Sequence, residues 1–256
     1  MQVTGNNNQI HYNLSIRITA DGFSFFGTEA TLGDLMHRED FQCQDSEQLP
    51  RQISKMILRP TIQRHEYDNV RVVIDSNTTC IPLEEFRKED LQKFFTIVFP
   101  NLDTQRELVC YTILRNLNTV QIYTVPRSIR IAISETYPDA TYTNSHAVVL
   151  ERVDDFSRRH EQPVKPLFAY AQRDQLFLFS IHQNTLLFAN SFPIEDGEGK
   201  NALYYILSVW KSMGLNEREN RCYISGDPEP AEKLAEEARK YLLYVEKIDS
   251  VDLAHL

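Results

Sequence analysis

The sequence predicts an α/β protein built from two similarly ordered halves. Three observations carry this: three strand-like runs in close succession from residue 166, a regular alternation of helix and strand after them, and a hairpin, a helix and a strand in the same order near the start.

From Asn13 to Gly27, "NLSIRITADGFSFFG" alternates apolar and polar residues on both sides of Asp21-Gly22, which is the short-range pattern of a β-hairpin. "SEQLPRQISKMILRPTIQ" places Leu49, Ile53, Ile57 and Leu58 at helical spacing, with Ser46 as the capping residue and Pro60 near the end. "NVRVVIDS" is a β-branched run and reads as a buried strand. The third strand of this half has to come from "EATLGDLM".

Next come a short extended piece ending at Pro82 and a helix from about Leu91. "ELVCYTILRN" and "TVQIYTV" are two strands joined by an Asn-containing turn. "PRSIRIAISETYP" is a helix opened by Pro126, and "SHAVVLERVDDFSRRH" is a second, amphipathic helix. The polar stretch "RRHEQPVKP" marks a boundary, giving units 1–160, which carries an insertion, and 161–256.

The second unit is the more legible. "PLFAYAQ", "QLFLFSI" and "TLLFANSF" are strands separated by polar turns at Arg173-Asp174 and at His182-Gln183-Asn184. "GKNALYYILSVWKSMGL" is a helix stopped by Gly214, "NRCYISGD" a strand, "PEPAEKLAEEARKYL" a helix with prolines at its start, and "YLLYVEKI" a final strand. The order βββαβαβ is that of a ribonuclease-H-like unit, and the first half opens the same way.

Composition narrows the function classes. The 256 residues are 42% hydrophobic and 25% charged, ordinary values for a folded protein, with a net charge of −9. An acidic chain without a concentrated basic face argues against nucleic acid as a partner. The four cysteines form no CxxC pair and point to no zinc or redox motif, which fits a reducing cytoplasm. The polar opening "MQVTGNNNQIHYN" does not read as an export leader, and no window reaches the ~20 apolar residues of a membrane span.

The chain resembles, over nearly its whole length, a bacterial domain-of-unknown-function family assigned to the actin-like ATPase fold. The residues that carry the resemblance are "LSIRITADGFSF", "VVIDSNTTCIPLEEF" and "LFAYAQRDQLFLFS" followed by "YISGDPEPAEKL". It implies two ribonuclease-H-like lobes, each with a mixed five-stranded sheet flanked by helices, around a cleft. Active members of the superfamily hold ATP with Mg²⁺ there, using an Asp-Gly turn in each half and a glycine-rich turn late in the second.

Asp21, Gly22, Asp75, Gly226 and Asp227 are therefore the cleft candidates. Each has a second explanation. Asp21 and Gly22 are adjacent, without the usual Asp-x-Gly spacing, and an Asp-Gly hairpin turn explains the same residues and is the preferred reading. Asp75 ends a strand, where an acid could orient water or simply close a "DSNTT" turn by bonding the backbone. Gly226-Asp227 matches the adenosine turn with Asp227 in place of a second glycine, or else Asp227 caps the helix that begins at Pro228.

The counterpart turn Gln172-Arg173-Asp174-Gln175 contains no glycine, and "PLFAYAQ" and "YNLSIRI" contain no acid. Two-metal nucleases of the ribonuclease-H type need a carboxylate on that central strand, so the nuclease reading falls. With eight glycines in all, and no Walker loop, G-x-S-x-G or HExxH motif, the chain has little with which to cradle phosphate. The expectation is a module without catalytic activity or cofactor that acts through a protein partner, with Tyr137, Tyr142, Tyr204 and Tyr205 as candidate contact aromatics. The alternative is a divergent ATPase or small-molecule kinase that binds ATP with Mg²⁺.

Overall fold

The computed structural model describes residues 11–31, 34–43, 45, 47–159, 164–194 and 200–248. The first strands, β1 (Tyr12–Thr19) and β2 (Gly22–Glu29), form the expected hairpin, closed by the Thr19–Gly22 pair across Ala20 and Asp21. Their inward residues Leu14, Ile16, Ile18, Phe23 and Phe25 are buried, and Phe23 meets Phe25 edge to face at 5.6 Å. The phenylalanines beside the turn are thus core residues.

The third strand, β3 (Leu35–Gln42), lies further along than "EATLGDLM", which it overlaps only at Leu35-Met36. It is an edge strand of sequence LMHREDFQ, with Arg38 and Asp40 facing water and the half-buried Glu39 paired with His37 and Arg59. Such charges protect an edge from unwanted pairing and hide the strand in the sequence. Helix α1 (Leu49–Ile57) buries Leu49, Ile53 and Ile57 against the sheet, while Leu58 is exposed. Ser46, the expected cap, lies outside the described residues; Gln48 precedes the helix and Pro50 occupies its first turn.

Strand β4 (Asn69–Ile74) then pairs in parallel with β1. An insertion follows: β5 (Thr78–Pro82), α2 (Leu91–Val98), β6 (Glu107–Leu114) and β7 (Thr119–Pro126) make a separate antiparallel sheet in the order β5-β7-β6. Phe95 of α2 packs on it with Val120 and Ile122. Helix α3 (Arg127–Ser134) returns beside α1, and β8 (Thr141–Asn144) completes the first sheet next to β4. The sequence pattern missed β8, because four residues of Thr-Tyr-Thr-Asn give no apolar run.

Helix α4 (Ser145–Arg159) leads into the second lobe: β9 (Leu167–Ala171), β10 (Gln175–His182), β11 (Thr185–Pro193), α5 (Lys200–Ser212), β12 (Cys222–Gly226), α6 (Pro228–Ala238) and β13 (Val245–Lys247). Gln183 and Asn184 turn from β10 to β11 with φ of 50° and 58°, and Gly214, at φ 65°, ends the turn after α5. Strand β13 covers only three residues of the expected final run, and Tyr241, Leu243 and Tyr244 before it are exposed.

The two large sheets run β3-β2-β1-β4-β8 and β11-β10-β9-β12-β13, one strand order used twice. Between them lies α4, whose residues Ser145 through Leu150 are all buried. Ala147, Val148, Val149 and Leu150 join Val73 of the first sheet to Phe168, Phe177, Phe179 and Tyr223 of the second in one apolar cluster. Only this first part of α4 is enclosed, since Glu151, Arg152 and Asp155 further along are exposed, and each buried Phe contributes about 1.5–3 kcal/mol by leaving water. Among the contact aromatics, Tyr204 is exposed, Tyr205 stacks on Phe192, and Tyr137 and Tyr142 are half-buried. Among the described residues no helix is long and apolar enough to cross a membrane.

Candidate functional site

The strand order leaves a crevice between the lobes, outside the carboxyl ends of β1, β4, β9 and β12, where α/β sheets bind ligands. It encloses about 870 Å³. Its walls are the β1–β2 turn, the stretch Asp75–Thr78 after β4, the β9–β10 turn Gln172–Gln175, Asn190, Ser191 and Pro193 of β11, Asp227, and Val98 and Phe99 at the end of α2.

Asp21, Asp75 and Asp227 all line this crevice. The two candidate glycines do other work. A Cβ on Gly22 would lie 2.1 Å from the Phe41 carbonyl oxygen, so Gly22 lets β3 approach β2. Gly226, at φ 127°, would place a Cβ 2.0 Å from the Ala171 oxygen, so it lets β12 pass β9, and the next amide, of Asp227, donates to that same oxygen at 2.8 Å.

The turns are closed on themselves. Thr19 donates its hydroxyl to Asp21 Oδ1 at 2.7 Å, and the Cys43 amide donates to the Asp21 carbonyl at 2.9 Å. Across the crevice, the Gln172 amide donates to the Gln175 carbonyl at 2.8 Å. Asp227 stands at the N-cap position of α6 in extended conformation, as its capping explanation requires, yet its side chain makes no capping bond. Pro230 has removed the N–H that a cap oxygen at this position would reach in the third helical residue.

Asp75 is anchored by its amide, which donates to the Ile18 carbonyl at 2.9 Å, and faces Arg17 at 3.6 Å. Burial pushes its carboxyl above the usual range; Arg17 and the Ser145 side chain pull it back, and the carboxylates of Asp174 and Asp227 push it up again. Asp75 Oδ1 and Arg17 Nε are shielded from solvent without a hydrogen-bond partner. Behind Asp75, the buried Asn144 donates to the Ile74 and Ser76 carbonyls at 3.1 and 3.2 Å and accepts the His146 amide at 2.9 Å, joining β4 to the start of α4.

Sequence reasoning missed Arg17, and set aside Gln172 and Asp174 because their turn has no glycine; all three line the crevice. The signal was the duplicated strand order, which makes Gln172–Gln175 the counterpart of the Asp21 turn. Gln172 is 8% exposed, and among the described residues its side-chain amide makes no hydrogen bond. Among those residues, no group of three or more His, Cys, Asp or Glu is placed to hold a metal ion.

Comparison with known proteins shows the fold. A crystal structure from Bacteroides thetaiotaomicron, of a protein with actin-like ATPase fold and unknown function, is 25% identical, with a TM-score of 0.83 over 99% of this chain and 98% of that one. The PilM-PilN type IV pilus biogenesis complex contains a chain 10% identical, at a TM-score of 0.55 over 92% and 88%. The ethanolamine utilization protein EutJ from Carboxydothermus hydrogenoformans is 8% identical, at 0.51 over 96% and 87%. No curated protein matches the chain. With residues 4–245 matched by the model of a family described as protein of unknown function, DUF3822, the chain belongs to that family and has the actin-like ATPase fold.

Proposed function

We propose that the chain is a catalytically silent actin-like module that works by binding another protein. The observation that carries this reading is the state of the phosphate-side turns. Where a nucleotide-binding member would present open glycine loops, Thr19, Cys43 and Gln175 close the turns with the protein's own hydrogen bonds, and both candidate glycines serve strand packing.

A magnesium nucleotide matches the crevice poorly. Its phosphates would face Asp21, Asp75, Asp174 and Asp227 against only Arg17 and Arg173. Helix α6 begins with Pro228 and has Pro230 as its third residue, so two of the free N–H groups that make a helix start attractive to anions are missing. Free thiols at Cys43, Cys80, Cys110 and Cys222 suit the cytoplasm as the place of work. A chain of this fold is found in the PilM-PilN complex, an instance of the frame working within a protein assembly.

One observation favours the second reading, a divergent ATPase: Asp21, Asp75 and Asp227 do share one crevice. Calorimetric titration of ATP with Mg²⁺ into the protein and into Asp21→Ala separates the two. The silent module gives no heat up to millimolar nucleotide; micromolar binding that disappears in Asp21→Ala would replace it with the ATPase.

A further inference from the structure

We infer that the interlobe crevice is a receptor for a basic segment of the partner protein, seating an arginine or lysine side chain against Asp174 and Asp227 with an apolar neighbour on Val98 and Phe99. This rests on the reading of the chain as a binding module.

Charge is the first argument. Four carboxylates and two guanidinium groups line the crevice. Arg17 is engaged by Asp75, and Arg173 also acts on Glu229 outside the crevice. Among the described residues, Asp174 and Asp227 make no ion pair, and both repel Asp75. A cation between them would relieve that repulsion.

The second argument is independent of charge. Gln172 lines the crevice at 8% exposure, and its side-chain amide, which keeps contact with solvent, makes no hydrogen bond to the described residues. Its carbonyl can accept from a guanidinium or ammonium group, and its amide can donate to a peptide carbonyl, so the site offers what a polypeptide carries.

Shape selects the kind of cation. Among the described residues no three acidic or His/Cys side chains are grouped to hold a metal ion, and the crevice has room for several residues. Its mouth is edged by Val98, 51% exposed, and the half-buried Phe99, an apolar lip that a free polyamine would leave uncovered and an apolar side chain next to the basic one would cover.

The test is selection of a random peptide library on the full chain, with Asp174→Asn/Asp227→Asn as the comparison. Recovered sequences should be rich in Arg or Lys with an apolar neighbour, lose affinity at high salt, and bind the double variant at least about tenfold more weakly, ~1.4 kcal/mol. A thermal melt of the variant at or above that of the parent shows that its fold is intact. Recovered peptides without basic enrichment, or equal affinity for the variant, overturn the proposal. Tighter binding of spermidine than of any recovered peptide overturns the partner and makes the crevice a polyamine site. Micromolar MgATP binding would sink the binding-module reading as well, whereas binding of neither nucleotide nor basic peptide removes only this inference.

Discussion

His146, carried by α4, lies face to face on Phe177 of β10, with ring centroids 4.0 Å apart and planes 4° from parallel. The pair joins the lobes inside their shared core. Ser191 Oγ sits 3.4 Å from His146 Nδ1 at the edge of the stack.

Burial drives the His146 imidazole down to about 4, against a hydrogen bond from the imidazole to the Gln175 side chain that raises it. The folded value lies below the unfolded one, so the unfolded chain takes up a proton first as pH falls. Stability is full above about pH 6.5 and is lost toward pH 4, by up to ~1.4 kcal/mol per pH unit. Thermal unfolding should therefore show a lower midpoint at pH 5 than at pH 7, and His146→Phe, which keeps the stack and cannot titrate, should shrink the difference. An unchanged difference would assign the pH sensitivity to other groups.

Gly226→Ala should be among the most damaging single changes. The backbone there is at φ 127° and the added carbon would meet three atoms of Ala171, the closest at 2.0 Å. Separating β12 from β9 at that point should cost about 3 kcal/mol or more, read as a shift of the urea midpoint. A loss below about 1 kcal/mol, the ordinary price of a point mutation, would mean that the strands can part there.

Asp75→Asn should stabilise the fold at neutral pH. The carboxyl's folded value is raised, so its favourable share of stability is present below the unfolded value near 3.8 and is lost as pH rises through the folded one. A neutral side chain of the same shape escapes that loss. Denaturant midpoints at pH 7 check the sign; a lower midpoint for the variant would mean that the Arg17 attraction outweighs desolvation.

Asn144→Ala removes a fully buried amide that serves β4 and the first turn of α4 together. Loss of its bonds leaves buried carbonyls and an N–H unpaired, which should lower stability by about 2–4 kcal/mol in equilibrium unfolding. Asn144→Asp should not rescue it, because a carboxylate cannot donate to the Ile74 and Ser76 carbonyls.

The second lobe was readable because its strands are continuous apolar runs separated by polar turns: Leu167–Ala171 and Leu176–Ile181 are buried almost without a break. The first lobe was harder where function of position overrides propensity. Strand β3 carries His37, Arg38, Glu39 and Asp40 because it is an edge, and β8 is too short for periodicity to register. For the crevice, Asp21, Asp75 and Asp227 were named through the resemblance to the actin-like family, and all three line it. Sequence reasoning passed over the Gln172–Gln175 turn for want of a glycine and did not reach Arg17, because their place in the crevice comes from which strand ends face each other. Nor could it assign Gly22 and Gly226 to packing, since the atoms they avoid, in Phe41 and Ala171, are remote in the chain.

The inserted sheet also sets an order of assembly. Strand β4 must wait for β8, with Arg71 opposite Thr141, so the last pairing of the first sheet closes a loop that contains a whole second sheet. The β9–β10–β11 meander closes only short turns. Loop-closure entropy and contact order therefore favour the C-terminal meander as the earlier nucleus, although it is synthesised later. Until β8 docks, the parallel edge of β4 stays open, and the newly made chain is most exposed to mispairing there.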